Sequence, residues 1–184
     1  RQDRVSAVEF FNKACQQKPD YHEARLAMAL LLRKMGKREE AVKEFRELVQ
    51  RDPGSAVGWA QLSLTLSQLN KIEEAVAAGM KAVELKPDDA NLRSNAGLFL
   101  SNLGRMEAAI VQLKKAVELE PKNSKALYNL GLAHTKTNEL EESARAFLDA
   151  LAVKEDFPHA QHSAAVVLMG LGLCKEAKLH LDRA

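Results

Sequence analysis

Apolar residues recur along this chain in paired segments, each with helical steps of three and four. In one pair the first segment carries Trp59, Leu62, Leu66 and Leu69, and the second carries Ile72, Ala75, Val76, Val83 and Leu85. That spacing predicts two amphipathic helices with their apolar stripes facing one another. Between the two segments stands Asn70, and its counterparts in the other pairs are Gly36, Gly104, Asn138 and Gly172. Glycine and asparagine tolerate the left-handed conformation that closes a helix, so each pair reads as a helical hairpin.

The hairpins keep a fixed period. Pro19, Pro53, Pro87 and Pro121 follow one another at intervals of 34 residues, and a period of this size marks a stacked repeat. The next tick holds Glu155 instead, yet the other columns stay in register. A small residue recurs as Ala41, Ala75, Ala109, Ser143 and Ala177. A bulky apolar column reads Leu32, Leu66, Leu100, His134 and Leu168, and a second reads Met35, Leu69, Leu103, Thr137 and Leu171. Polar residues after the proline ticks, namely Asp20, Ser55, Asp89, Asn123 and Asp156, are expected to cap the first helices, with Asp20 and Glu23 as a capping box. Pro158 fits the first turn of a helix, where its missing amide costs nothing.

These columns resemble the tetratricopeptide repeat. The resemblance rests on Trp59, on Leu130-Gly131 with Ala96-Gly97 as a near match, and on the triplet Ala7, Phe11 and Ala14. That triplet returns in part as Ala41 with Phe45 and as Phe147 with Ala150. Gly79, where the family prefers an aromatic, and Leu48, where it prefers alanine, depart from the pattern. The resemblance implies an all-α fold, a right-handed α-solenoid of stacked antiparallel helical hairpins, forming a single domain over residues 1–184. Its expected parts are a second helix of a truncated repeat (1–21), full repeats at 22–55, 56–89, 90–123 and 124–157, and a truncated last repeat (158–184). Both ends lack a polar capping helix, so the chain reads as a segment of a longer solenoid.

With 27 Lys and Arg against 25 Asp and Glu, the net charge of +2 gives no nucleic-acid footprint. The nearly apolar run from Ala164 to Cys174 is too short for a membrane span. Cys15 and Cys174 lie at opposite ends of a solenoid and are not expected to pair, which is compatible with a reducing, cytoplasmic compartment.

No catalytic constellation emerges, and the chain is expected not to be an enzyme and to need no cofactor. Glu39-Glu40, Glu73-Glu74 and Glu141-Glu142 recur at one repeat position, in the first turn of each second helix, where negative charge favours the dipole. His159 and His162 could share a helix face, but further ligands for a metal are lacking. His134 falls in a core column and is expected to be buried and hydrogen-bonded.

The family's first helices line a concave groove where partners bind. The resemblance carries its groove positions onto an apolar row of Leu30, Leu64, Leu98, Leu132 and Val166, flanked by Gln61, Asn95, Asn129, Tyr128 and Lys125. Lys136, Arg33 and Lys34 would bias its rim towards acidic segments. The same row is equally consistent with core packing between neighbouring helices. Burying ~400 Å² of apolar surface there would yield about 10 kcal/mol gross. Ordering and association would cancel most of it, leaving micromolar affinity.

The carboxylate clamp of the family's chaperone-tail adaptors is not expected, because Ala60, Leu64, Asn95, Lys125 and Asn129 match only two of its five positions. The reading that results is a protein–protein interaction scaffold for a peptide or helix. An alternative is the substrate-recruiting arm of a larger enzyme, such as a glycosyltransferase transferring N-acetylglucosamine to proteins. End-to-end self-association through the terminal helices is a further expectation.

Overall fold

A computed structural model describes residues 2–182, and within them the fold is all α, with eleven helices and no strand. Two compact units divide the chain, one running to Pro87 and the other starting at Asp88. The first unit contains α1 (Gln2–Gln17), α2 (His22–Lys34), α3 (Arg38–Arg51), α4 (Ala56–Gln68) and α5 (Ile72–Leu85). The second contains α6 (Ala90–Asn102), α7 (Met106–Leu119), α8 (Ser124–Lys136), α9 (Leu140–Val153), α10 (Pro158–Gly170) and α11 (Cys174–Leu181). Within each unit every helix packs on the next in sequence, and first helices also touch each other, α2 with α4 and α6 with α8.

Each hairpin turns through the expected column. Gly36, Asn70, Gly104, Asn138 and Gly172 all have positive φ, from 58° at Asn70 to 83° at Gly36. The amide after each of them reaches back to the carbonyl that stands five residues before it. Lys37 N donates to Leu32 O at 3.0 Å, and Glu139 N to His134 O at 2.9 Å. This bond satisfies a carbonyl that the ending helix would leave bare. Five residues past each turn, Ala41, Ala75, Ala109 and Ser143 are sealed completely and Ala177 nearly so, which lets the two helices of a hairpin approach closely.

Size matching holds the hairpins together. A Cβ added to Gly131 would stand 2.6 Å from the ring of Phe147, and one added to Gly97 would stand 2.6 Å from Leu113. Where the second helix offers only Gly79, the first helix carries Ser63, whose hydroxyl donates to Ala75 O at 2.7 Å. Phe147 anchors the apolar core of α9, α10 and α11, against which Tyr128, Leu132 and Phe157 also pack.

Two of the expected caps are corrected. Ser55, Asp89 and Asn123 accept backbone amides of α4, α6 and α8, as their residue types require. Asp20 and Asp156 do not, because the 34-residue register places Tyr21 and Phe157 at the caps of α2 and α10. Asp20 stands one residue too early and lies 3.7 Å from Arg51 instead. Phe157 trades the cap for packing, its ring centroid 5.0 Å from that of Tyr128. The acidic pairs Glu39-Glu40, Glu73-Glu74 and Glu141-Glu142 do occupy first turns, on second helices with no side-chain cap.

Candidate partner-binding site

The apolar row occupies one position on successive first helices. Leu30, Leu64, Leu98 and Leu132 are half-buried, and Val166 is 47% exposed. Residues two places before and after them belong to the core: Leu62 and Leu66 flank Leu64, and Ala96 and Leu100 flank Leu98, all at 4% exposure or less. At about 100° per residue, two steps carry a side chain round to the opposite side of a helix. The row therefore stands on a different side of each first helix from these core residues, although Leu132 still packs in part against the core around Phe147 of α9.

In the second unit the row borders a cleft. Leu132 and Thr135 of α8, His162, Ser163 and Val166 of α10, and Phe147 beneath them enclose about 190 Å³. The structure thus brings Leu132 and Val166 together. Thr135 was not among the sequence candidates, although its place three residues after Leu132 puts it on the same helical face.

The polar candidates differ in how free they are. Asn129 Nδ2 donates to Ser94 Oγ at 3.4 Å, and Lys136 Nζ reaches the carbonyl and hydroxyl oxygens of Ser101 at 3.3 Å. Both side chains thereby tie α8 to α6. Tyr128 is half-buried with its ring 5.6 Å from Phe147. Asn95 and Lys125 are exposed, as is Lys34.

In the first unit, Gln61 Oε1 and Arg33 Nη1 are shielded from solvent and find no hydrogen-bond partner among the described residues. Burial lowers the pKa of the Arg33 guanidinium, since the charged form loses hydration. Three repeats further on, the same two columns hold Thr135 and Ser163, which line the cleft between α8 and α10.

His134 is buried, and its Nδ1 lies 2.5 Å from Glu139 Oε2. The His134 contact, with a hydrogen bond from Thr137, holds the Glu139 carboxyl below its ordinary range. The pair closes the α8–α9 turn. His159 and His162 are exposed, and no group of three or more His, Cys, Asp or Glu side chains is placed to hold a metal among the described residues. Cys15 is a buried free thiol, raised in pKa chiefly by burial, and Cys174 is an exposed one. No helix among the described residues is long and apolar enough to cross a membrane.

Comparison with known proteins agrees with this geometry. Among curated proteins none is a significant sequence match. The structure is similar to MamA (residues 41 to the end) from Desulfovibrio magneticus RS-1, with 20% identity, a TM-score of 0.80, and coverage of 88% of this chain and 91% of that one. It is similar to YrrB, described as a TPR protein with an unusual peptide-binding site, at 20% identity and a TM-score of 0.77, covering 96% and 91% of the two chains. PilF from Pseudomonas aeruginosa shares 24% identity with a TM-score of 0.78 over 88% of this chain and 73% of its own. At these identities the likeness is one of fold. Family models described as tetratricopeptide repeat match residues 1–60, 56–89 and 126–161, and one described as TPR repeat matches residues 100–138. Those matches coincide with helical hairpins that share one turn column and one small-residue column, so the chain belongs to the tetratricopeptide repeat family.

Proposed function

We propose that this protein is an interaction scaffold that holds a peptide or helix of a partner protein against its first helices, the apolar row making the main contact. Protein interaction is the usual role of these repeats. The observation that carries the finer reading is the exposure of the row: no member is fully buried, although core leucines stand two residues away on the same helices. Leu30, Leu64, Leu98, Leu132 and Val166 would supply apolar contact, and Asn95 and Lys125 are free to add polar ones. Gln61, Asn129 and Tyr128 would bound the site.

Arg33 supports a preference for acidic segments. Its Nη1 has no protein partner among the described residues, so a ligand carboxylate that reaches the half-buried guanidinium would gain a charge-assisted hydrogen bond. The test is to select peptides from a displayed library and map the bound complex by hydrogen exchange. Acidic peptides that protect α2, α4, α6, α8 or α10 would support the reading. Protection confined to α3, α5, α7 and α9 would contradict it.

A further inference from the structure

We propose that a cleft among α3, α4 and α5 binds a small aromatic anion, at a site separate from the first-helix row. The cleft encloses about 550 Å³, within the range of roughly 300–1,000 Å³ typical of small-molecule sites. Trp59, Leu62 and Leu66 of α4 form one wall, and Val49 of α3 another. Leu62 and Leu66 project from the side of α4 opposite Leu64, so the cleft opens among the second helices and not on the row.

A local change in the repeat creates the space. In three of the other hairpins a long pair crosses between the first and second helices at these columns. Arg25 meets Glu44 at 2.8 Å, Arg93 meets Gln112 at 2.8 Å, and Gln161 meets His180 at 2.6 Å. In the α4–α5 hairpin the same columns hold Trp59 and Ala78. The α8–α9 hairpin also has a small residue there, Ala146, but Arg145 precedes it where α5 has Ala77. With Ala77 and Ala78 in succession, α5 leaves an open cleft beside the half-buried Trp59, floored by the buried Leu62 and Leu66.

The chemistry of the lining selects the ligand. Trp59 is fixed by its Nε1, which donates to Pro53 O at 3.0 Å, so it offers a rigid aromatic surface to a flat apolar group. At the rim stand Arg46, Lys81 and Glu74. Arg46 pairs with Glu74 and leaves that carboxylate neutralised. Lys81 is held only by an exposed contact with Glu84 one turn away, at 2.7 Å. Such a pair exchanges readily, so Lys81 can turn to an anionic group on a ligand whose aromatic body lies on Trp59.

Trp59 is the only tryptophan of the chain, so its emission reports occupancy. The probe is anilinonaphthalene sulfonate, an aromatic anion, titrated against the folded chain. We expect a saturable change in Trp59 emission. Affinity should fall by roughly tenfold or more in Ala78→Leu and in Ala77→Leu. Ala77 is exposed at the mouth, so its variant decides the matter if Ala78→Leu does not fold. Lys81→Glu, and replacement of the dye by neutral phenylnaphthylamine, should each weaken binding several-fold. Val166→Glu should leave it unchanged, which separates this site from the row. Undiminished binding in the folded alanine variants, or equal affinity for the neutral dye, would overturn the proposal.

Discussion

Arg25 on α2 donates through Nη1 to Glu44 on α3 at 2.8 Å, and the guanidinium is almost wholly enclosed as it does so. The columns of these two residues are occupied across each hairpin either by two long polar side chains or by an apolar residue facing alanine. Arg93 with Gln112 follows the first solution, and Leu127 with Ala146 the second. Each hairpin thus solves its own packing problem at this point, independently of the shared columns.

The two solutions should be exchangeable only as pairs. Arg25→Leu or Glu44→Ala alone is expected to cost about 1–3 kcal/mol, because each strands a polar group or leaves a mismatched volume. The double variant, which copies Leu127 and Ala146, should recover a large part of that loss. Urea denaturation of the four proteins in the cycle measures the coupling. Additive losses would contradict pairwise matching.

Turn residues should obey the left-handed conformation. Asn138 has φ of 63°, so Asn138→Gly is expected to change stability by only a few tenths of a kcal/mol, whereas Asn138→Val should cost about 1–2 kcal/mol. Thermal melting distinguishes the two.

This column was legible in the sequence because its requirement is local: only glycine and asparagine fill it. The small-residue column was legible for a similar reason, since hairpin contact tolerates nothing larger. Asp20 and Asp156 have the residue type of a cap but stand one residue ahead of the repeat register. Tyr21 and Phe157, one residue on, occupy the cap positions, and at Phe157 packing against Tyr128 compensates for the missing cap. The Arg25–Glu44 alternation was present in the letters, but recognising it requires knowing which columns meet across a hairpin. The space beside Ala77 and Ala78 has no local signature, because its walls are side chains from α3 and α4.

Gly131 should not accept a side chain. Its added Cβ would lie 2.6 Å from the Phe147 ring, which is itself fully buried and has no room to retreat. Gly131→Ala is therefore expected to destabilise the second unit by about 1–3 kcal/mol, read from chemical denaturation. Gly170→Ala, where the nearest atom stands at an ordinary 3.6 Å, provides the control and should be neutral or better.

The Glu139 contact should appear in the acid limb of stability. His134, and then Thr137, lower the carboxyl's folded-state pKa beneath its unfolded value. Its stabilising contribution is therefore complete above the ordinary carboxylate range and is lost as pH falls through the lowered value. Glu139→Gln should lower the melting temperature at neutral pH and flatten its decline in acid. A mutant and parent curve that stay parallel down to acid pH would contradict the assignment.

The central claim is that the row on the first helices is a contact surface and not core. Leu98 and Leu100 test it most directly, because they lie on one helix with Leu98 half-exposed and Leu100 at 4% exposure. The measurement compares Leu98→Glu and Leu100→Glu for melting and for affinity towards a peptide selected on the parent chain. The account predicts that Leu98→Glu melts within a few degrees of the parent while losing roughly tenfold or more in affinity, and that Leu100→Glu unfolds. Collapse of Leu98→Glu, or full affinity in a folded Leu98→Glu, would contradict it.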